Sequence, residues 1–266
     1  MSQVTKSFHK ARVFLPSVFT VGNMAMGFYA IHAAFEGRWV AAPTAIFIGH
    51  ILDILDGRVA RWFNMTSRFG GEFDSFADWI SFGIAPAIMV YLLALKDLGK
   101  PGFLLAFFFV LCGALRLTRF NLKSFETEEG ETPANTNFLG LPIPVAGGFL
   151  AVLVLLFGIS ESGHQGRTMN LIYRQVPYMR AGIPLIVFGL AFLMVSKIQY
   201  TSFKKTHFFR PQSLPTFMVT IFGLFMIYMY PQNTIFIIYA AYITWGIVMT
   251  VWRSSRVRSK DAAAPN

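Results

Sequence analysis

Apolar residues run along this chain in long blocks, separated by short basic or polar segments. Eight blocks are long enough to cross a bilayer whose hydrocarbon core is ~30 Å thick. They lie near residues 14–35, 40–61, 72–95, 103–121, 141–160, 181–199, 215–231 and 233–252. The pattern predicts an all-α integral membrane protein with about eight transmembrane helices. The first block follows the basic segment KSFHKAR (Lys6–Arg12), which resembles the start of a signal peptide. Its apolar part is too long for one and no persuasive cleavage site follows, so an uncleaved anchor is expected.

Composition agrees with this reading. The chain is 55% hydrophobic and 14% charged, against about 25% charged in a soluble domain, and its mean hydropathy is +0.52. The single cysteine, Cys112, excludes an internal disulfide and a thiol-based metal site. A net charge of +10 could suggest nucleic acid, but the lysines and arginines flank the apolar blocks as membrane anchors do. With both termini in the cytoplasm, only Arg38, Lys96, Lys100, Arg167, Arg174 and Arg180 of the 23 basic residues fall outside. Residues 1–266 read as one membrane domain. No internal repeat is seen, the glutamates of the polar loop Phe125–Asn137 read as a solvated face rather than a ligand set, and the outer loop Glu161–Arg180 shows no readable chemistry, ahead of the tail Ser259–Asn266. The tail is expected to be disordered.

One stretch departs from the pattern: DILDGRVARWFNMTSRFGGEFDSFAD, Asp53–Asp78, lies at the cytoplasmic end of the second and third blocks. An acid at membrane depth costs about 2.5–3.5 kcal/mol even on lenient scales. In a helix, Asp53, Asp56, Gly57, Ala60 and Arg61 share one face, and on the next helix Gly70 or Gly71, Asp74 and Asp78 stack at four-residue steps. Two antiparallel helices joined by a short turn would therefore aim four carboxylates at one another. Oxygen donors without cysteine or histidine suit a hard divalent cation such as Mg²⁺, Mn²⁺ or Ca²⁺. Gly57, Ala60 and Gly70 would clear side-chain bulk from that face, although close helix packing alone would also explain Gly57 and Ala60. Arg61 offers a planar fork suited to phosphate. The set reads as a metal–diphosphate site.

These residues fit D-x2-D-G-x2-A-R-x8-G-x3-D-x3-D at every fixed position, and so resemble the signature of the CDP-alcohol phosphotransferases, membrane enzymes of phospholipid synthesis. Within that family, DSFADWISFGIAPA (Asp74–Ala87), ALRLTRFN (Ala114–Asn121), FLGLPIPVAGG (Phe138–Gly148) and LPSVFTVGNMAMGF (Leu15–Phe28) are similar to the branch whose acceptor is L-serine. Ser17 stands where that branch usually has Asn. The resemblance implies a six-helix catalytic core over 12–199, two added helices over 215–252 and a cytoplasmic tail over 253–266. It implies transfer of a phosphatidyl group from CDP-diacylglycerol to serine with release of CMP. Asp53, Asp56, Asp74 and Asp78 would hold Mg²⁺ or Mn²⁺, two ions per site, and Asp78 would also take the acceptor's proton. Gly57, Ala60, Arg61 and Gly70 would bind the CDP-lipid.

The acceptor pocket is open to more than one reading. Arg116 and Arg119 fit a carboxylate or phosphate as well as they fit positive-inside anchoring, while Asn121, Gly140 and Pro142 enter through the resemblance. His50 is expected to pack rather than react, and Trp39, Trp62 and Trp252 to sit in interfacial belts. Another acceptor (glycerol phosphate, inositol phosphate or choline) remains an alternative within the family. An ion transporter is the alternative outside it, but its acids would lie nearer the bilayer centre and related halves would be common. The family often dimerises, and nothing in the sequence isolates a dimer face. The expected location is the bacterial inner (cytoplasmic) membrane, with the active site facing the cytoplasm. A cysteine at Thr66 in a Cys112→Ala background should therefore react with a membrane-impermeant reagent only after cells are opened. Labelling in intact cells would invert the topology.

Overall fold

In a bilayer every backbone polar group must be satisfied within the segment, so apolar blocks of this length become helices. The computed structural model describes residues 2–63, 68–128, 138–161, 176–196, 198–200 and 214–261. Thr66, the loop beyond Glu128, the outer loop 162–175 and residues 262–266 lie outside the described residues. The helices are α1 (Ser2–Phe35), α2 (Ala41–Trp62), α3 (Arg68–Asp78), α4 (Ala85–Val90), α5 (Lys100–Glu128), α6 (Ile143–Glu161), α7 (Val176–Val195), α8 (Leu214–Met229) and α9 (Pro231–Asp261).

A helix thus occupies each of the eight expected segments. Five segments among the described residues are long and apolar enough to cross a membrane: Val18–Phe35, Phe69–Leu98, Lys100–Leu122, Ile143–Glu161 and Pro231–Thr250. The all-α membrane class stands, and these five are among the eight expected segments. In α2, Asp53, Asp56, Arg58 and Arg61 crowd the last three turns. Two boundaries also move. α5 continues to Glu128, so Glu126 and Glu128 end a helix rather than lie in a loop, and α9 carries Ser259–Asp261 of the expected tail.

The third span is a composite. Between α3 and α4 the chain widens into a π-turn at Trp79–Ile84, and a second follows at Tyr91–Leu95 before a 3₁₀ turn at Lys96–Leu98. Pro86 lies at the start of α4. Its ring would clash with the carbonyl four residues earlier, at Phe82, and its missing N–H breaks the ladder, so the widened turn just before it has a local cause.

α6 sits at the centre. Ile143, Ala146, Leu150, Ala151, Val152 and Val154 are fully buried, as expected of a helix that is apolar on every side. It is packed by α2, the third span, α7 and α9. α5 instead turns Phe103, Leu104, Phe107 and Leu111 outward, where lipid suits them. Small residues set the close crossings. A Cβ at Gly27 would lie 2.8 Å from the Ser81 backbone, and one at Gly147 would lie 2.3 Å from the Phe82 carbonyl oxygen.

The only β feature among the described residues is a two-residue antiparallel pair, β1 (Phe138–Leu139) with β2 (Gln199–Tyr200). It is closed by Gly140, whose φ of 81° and lack of a Cβ let the chain press against the Met194 carbonyl.

Gly147→Ala should destabilise the fold by about 1–3 kcal/mol, the usual range for overpacking. It should appear as a lower midpoint of thermal unfolding in detergent. Gly182→Ala, where a Cβ would meet nothing within 4 Å, is the control. Equal midpoints would show that α6 and the third span are not packed this closely.

Candidate active site

α2 and α3 both pack on α1 and bring their aspartates together. One carboxylate oxygen from each of Asp53, Asp56 and Asp74 lies within 4.8 Å of the others. Asp78 stands beside this triangle: its carboxyl group meets that of Asp53, while Asp56 meets Asp74. Asp56 is buried, and Oδ1 of Asp74 is buried with no hydrogen-bond partner. Converging oxygens with a bare buried lone pair are the donor set a hard cation takes, so these residues fit a divalent metal ion. Three aspartates that could hold a metal ion are therefore in place.

Two further residues join the cluster that sequence reasoning missed. Both come from α1. Thr20 Oγ1 donates to Asp56 Oδ2 at 3.0 Å, and Asn23 Nδ2 donates to Asp78 Oδ1 at 3.3 Å. Both side chains are buried. Asn23 is fixed in turn by Ser81, whose Oγ donates to the Asn23 carbonyl at 2.8 Å. Gly49 completes the fit, since a Cβ there would lie 2.9 Å from Asn23 Oδ1. The readable signal was two polar residues three apart in an apolar helix, which share one face.

The other expected site residues fall in several places. The guanidinium of Arg61 folds over Gly57, 3.7 Å from where a Cβ would sit, with its charge toward Asp56. Ala60 and Gly70 are half-buried. Arg116 is buried in α5 and faces Asp78. Arg119 is exposed, and its Nη1 donates at 2.9 Å to the Val195 carbonyl at the end of α7, which is favourable for a cation at a helix C-terminus. Asn121 Nδ2 donates to Glu72 at 3.1 Å, and its Oδ1 accepts from Ser75 Oγ at 3.2 Å. Those partners border a largely apolar cavity of about 320 Å³ between α3 and α5, lined also by Phe76, Trp79 and Leu117. Its residues on α3 share a different helical face from Asp74 and Asp78. Gly140 and Pro142 sit at the strand pair, where Gly140 N–H donates to the Ile198 carbonyl at 2.8 Å. His50 packs edge-on against Phe82, with ring centroids 5.2 Å apart.

Comparison with known proteins agrees with this geometry. Residues 13–186 match the model of the CDP-alcohol phosphatidyltransferase family, and the chain belongs to that family. A CDP-diacylglycerol–serine O-phosphatidyltransferase of Helicobacter pylori is 34% identical over 236 residues, covering 88% of this chain and 89% of its own. The enzyme of that name from Bacillus subtilis is 36% identical over 192 residues, 72% of this chain and 92% of its own. An archaetidylserine synthase of Methanothermobacter thermautotrophicus is 34% identical over 193 residues, 71% and 70% of the two chains. The protein is an integral membrane transferase of this family.

Hydrogen-bonded supports of metal ligands typically change affinity by about 10–100-fold when removed. Thr20→Val, nearly the same shape without the donor, should weaken Mn²⁺ binding to the purified protein by about tenfold or more. The control is Thr44→Val, whose hydroxyl bonds only the Val40 carbonyl of its own helix end. Equal affinities for the two variants would mean that the Thr20 bond does not orient Asp56.

Proposed function

We propose that this chain transfers the phosphatidyl group of CDP-diacylglycerol to the hydroxyl of L-serine, releasing CMP, as a CDP-diacylglycerol–serine O-phosphatidyltransferase. The observation that carries the acceptor is the similarity, over most of both chains, to relatives bearing that name. Geometry supports the reaction type, since carboxylates converge at a site that a diphosphate and a cation would share. Incubating the purified protein and CDP-diacylglycerol with a panel of labelled alcohols tests the acceptor. Serine should enter lipid, and transfer to glycerol phosphate, inositol phosphate or choline in its place would overturn the reading.

Asp53, Asp56 and Asp74 would hold Mg²⁺ or Mn²⁺, which when bound neutralises the diphosphate and eases departure of CMP. The chain's own groups do the rest. Arg61, lying over Gly57, is placed to reach a phosphate of the nucleotide. Asp78, held by Asn23, is the proton acceptor. As serine Oγ forms its bond to the phosphorus bearing the lipid, the Oγ proton passes to a carboxylate oxygen of Asp78. The phosphorus–oxygen bond to CMP breaks, and the electron pair leaves with CMP. A direct displacement needs no covalent intermediate, and the buried Cys112 supplies no nucleophile to the site. The site opens to the cytoplasm, where CMP and serine are soluble.

Excess chelator should abolish CMP release, and undiminished release in excess EDTA would sink the metal role. Asp53→Asn and Asp78→Asn should fail differently in a metal titration that follows labelled serine into lipid. Asp53→Asn should need a higher cation concentration. Asp78→Asn should lose about 10²–10⁴-fold in turnover, as expected for a missing general base, and should level off at a reduced plateau. Full recovery of Asp78→Asn with added metal would make it a ligand and place the base elsewhere.

A further inference from the structure

The aspartates of the cluster are not all held in the same way. Thr20 and Asn23 of α1 donate to Asp56 and Asp78, whereas Oδ1 of Asp74 has no hydrogen-bond partner. The place of Asp74 therefore depends on how α3 is turned about its own axis. A helix with its side chains is about 10–12 Å across, so a turn of ~10° moves a side-chain tip by ~1 Å. A metal site tolerates only about 0.2 Å in its ligand distances. The rotation of this 11-residue helix has to be fixed from outside.

Packing fixes one side of it. α3 packs on α1, while the largely apolar cavity of about 320 Å³ separates it from α5. Hydrogen bonds bridge that gap. Asn121 of α5 donates through Nδ2 to Glu72 Oε2 and to Ser75 Oγ, both at 3.1 Å. Ser75 Oγ has a further acceptor in the Gly71 carbonyl, one turn back at 3.0 Å. Just past the end of α3, Trp79 Nε1 donates to the Val110 carbonyl of α5 at 3.1 Å. Ser75 and Trp79 each directly follow a site aspartate, Asp74 and Asp78. Four residues apart, they form the stripe beside the acids on the same helix. Tying that stripe to α5 turns Asp74 toward Asp53 and Asp56.

We propose that Asn121 is a positioning residue for the cation site: by holding Glu72 and Ser75, on either side of Asp74, it fixes the rotation of α3 across the cavity. This rests on the cation reading of the aspartates and is independent of which alcohol is the acceptor. Asn121 does this without touching a substrate, since its amide nitrogen is already spent on Glu72 and Ser75.

The test is the affinity of the purified full-length protein for Mn²⁺ in detergent, without lipid substrate, read from the paramagnetic resonance of the free ion. Asn121→Leu should weaken Mn²⁺ binding by about tenfold, the lower end of the range for outer partners of metal ligands. Thr118→Val is the control: Thr118 lines the same cavity, but its hydroxyl bonds only the Ala114 carbonyl of its own helix. Its affinity should equal that of the wild type. Ser75→Ala should weaken binding about twofold to tenfold, the range for one lost hydrogen bond. Combined with Asn121→Leu it should add nothing, because the two act through one bridge. Turnover of Asn121→Leu should recover at saturating Mn²⁺. An unchanged affinity for Mn²⁺ with a raised KM for serine would overturn the inference and make Asn121 a substrate contact. Equal weakening in Thr118→Val would also overturn it, as a general loosening of α5. Ser75→Ala decides if Asn121→Leu fails to fold, and wild-type affinity in that variant would overturn the bridge. A wild type that binds no Mn²⁺ would overturn the cation reading and the inference with it, leaving the acceptor to be judged by the labelled alcohols.

Discussion

The structure depends on mutual repulsion among carboxylates held together against their charge. Asp53, Asp56 and Asp74 bring oxygens within 4.8 Å of one another, and Asp78 adjoins Asp53. At this depth water cannot screen them fully, and charges that close interact strongly in a medium of reduced dielectric. Among the described residues Arg61, itself exposed, lies over Gly57 with its charge toward Asp56. A divalent cation is a counter-charge this donor set could hold, and neighbouring helices fix its geometry.

That preparation is distributed over three helices. α2 and α3 supply the carboxylates, and α1 supplies the donors that orient two of them. Those donors work only if α1 lies very close to its neighbours. Gly49 gives Asn23 room, and Gly27 lets the Ser81 backbone approach so that Ser81 can bond the Asn23 carbonyl. The π-turn that carries Ser81 follows Asp78 directly, so the distortion associated with Pro86 also places the residue that steadies Asn23. Glycine, proline and a few hydroxyls thus shape the site.

Much of this was legible in the sequence because it follows a helical period. The spacing of Asp53, Asp56, Asp74 and Asp78 predicts shared faces, and the structure joins those faces. The membrane class followed from the apolar blocks, and the site's own charges interrupt the last turns of α2. Thr20 and Asn23 were harder to find, since their role comes from a neighbour more than thirty residues away. The strand pair escaped because two residues are too few to show alternation. Asn121 and Arg119 carry charge or polarity suited to a substrate, yet in this structure they bond Glu72, Ser75 and the end of α7.

The central claim is that the aspartates are a preformed cation site whose folded geometry the metal stabilises. It is tested most directly by the thermal unfolding of the purified protein in detergent as Mn²⁺ is titrated, without any lipid substrate. A ligand that binds only the folded state adds about 2.7 kcal/mol at a hundred times its Kd. The account predicts a midpoint that climbs with Mn²⁺ concentration in the wild type and stays level in Asp74→Asn. A wild-type midpoint indifferent to Mn²⁺ would contradict it.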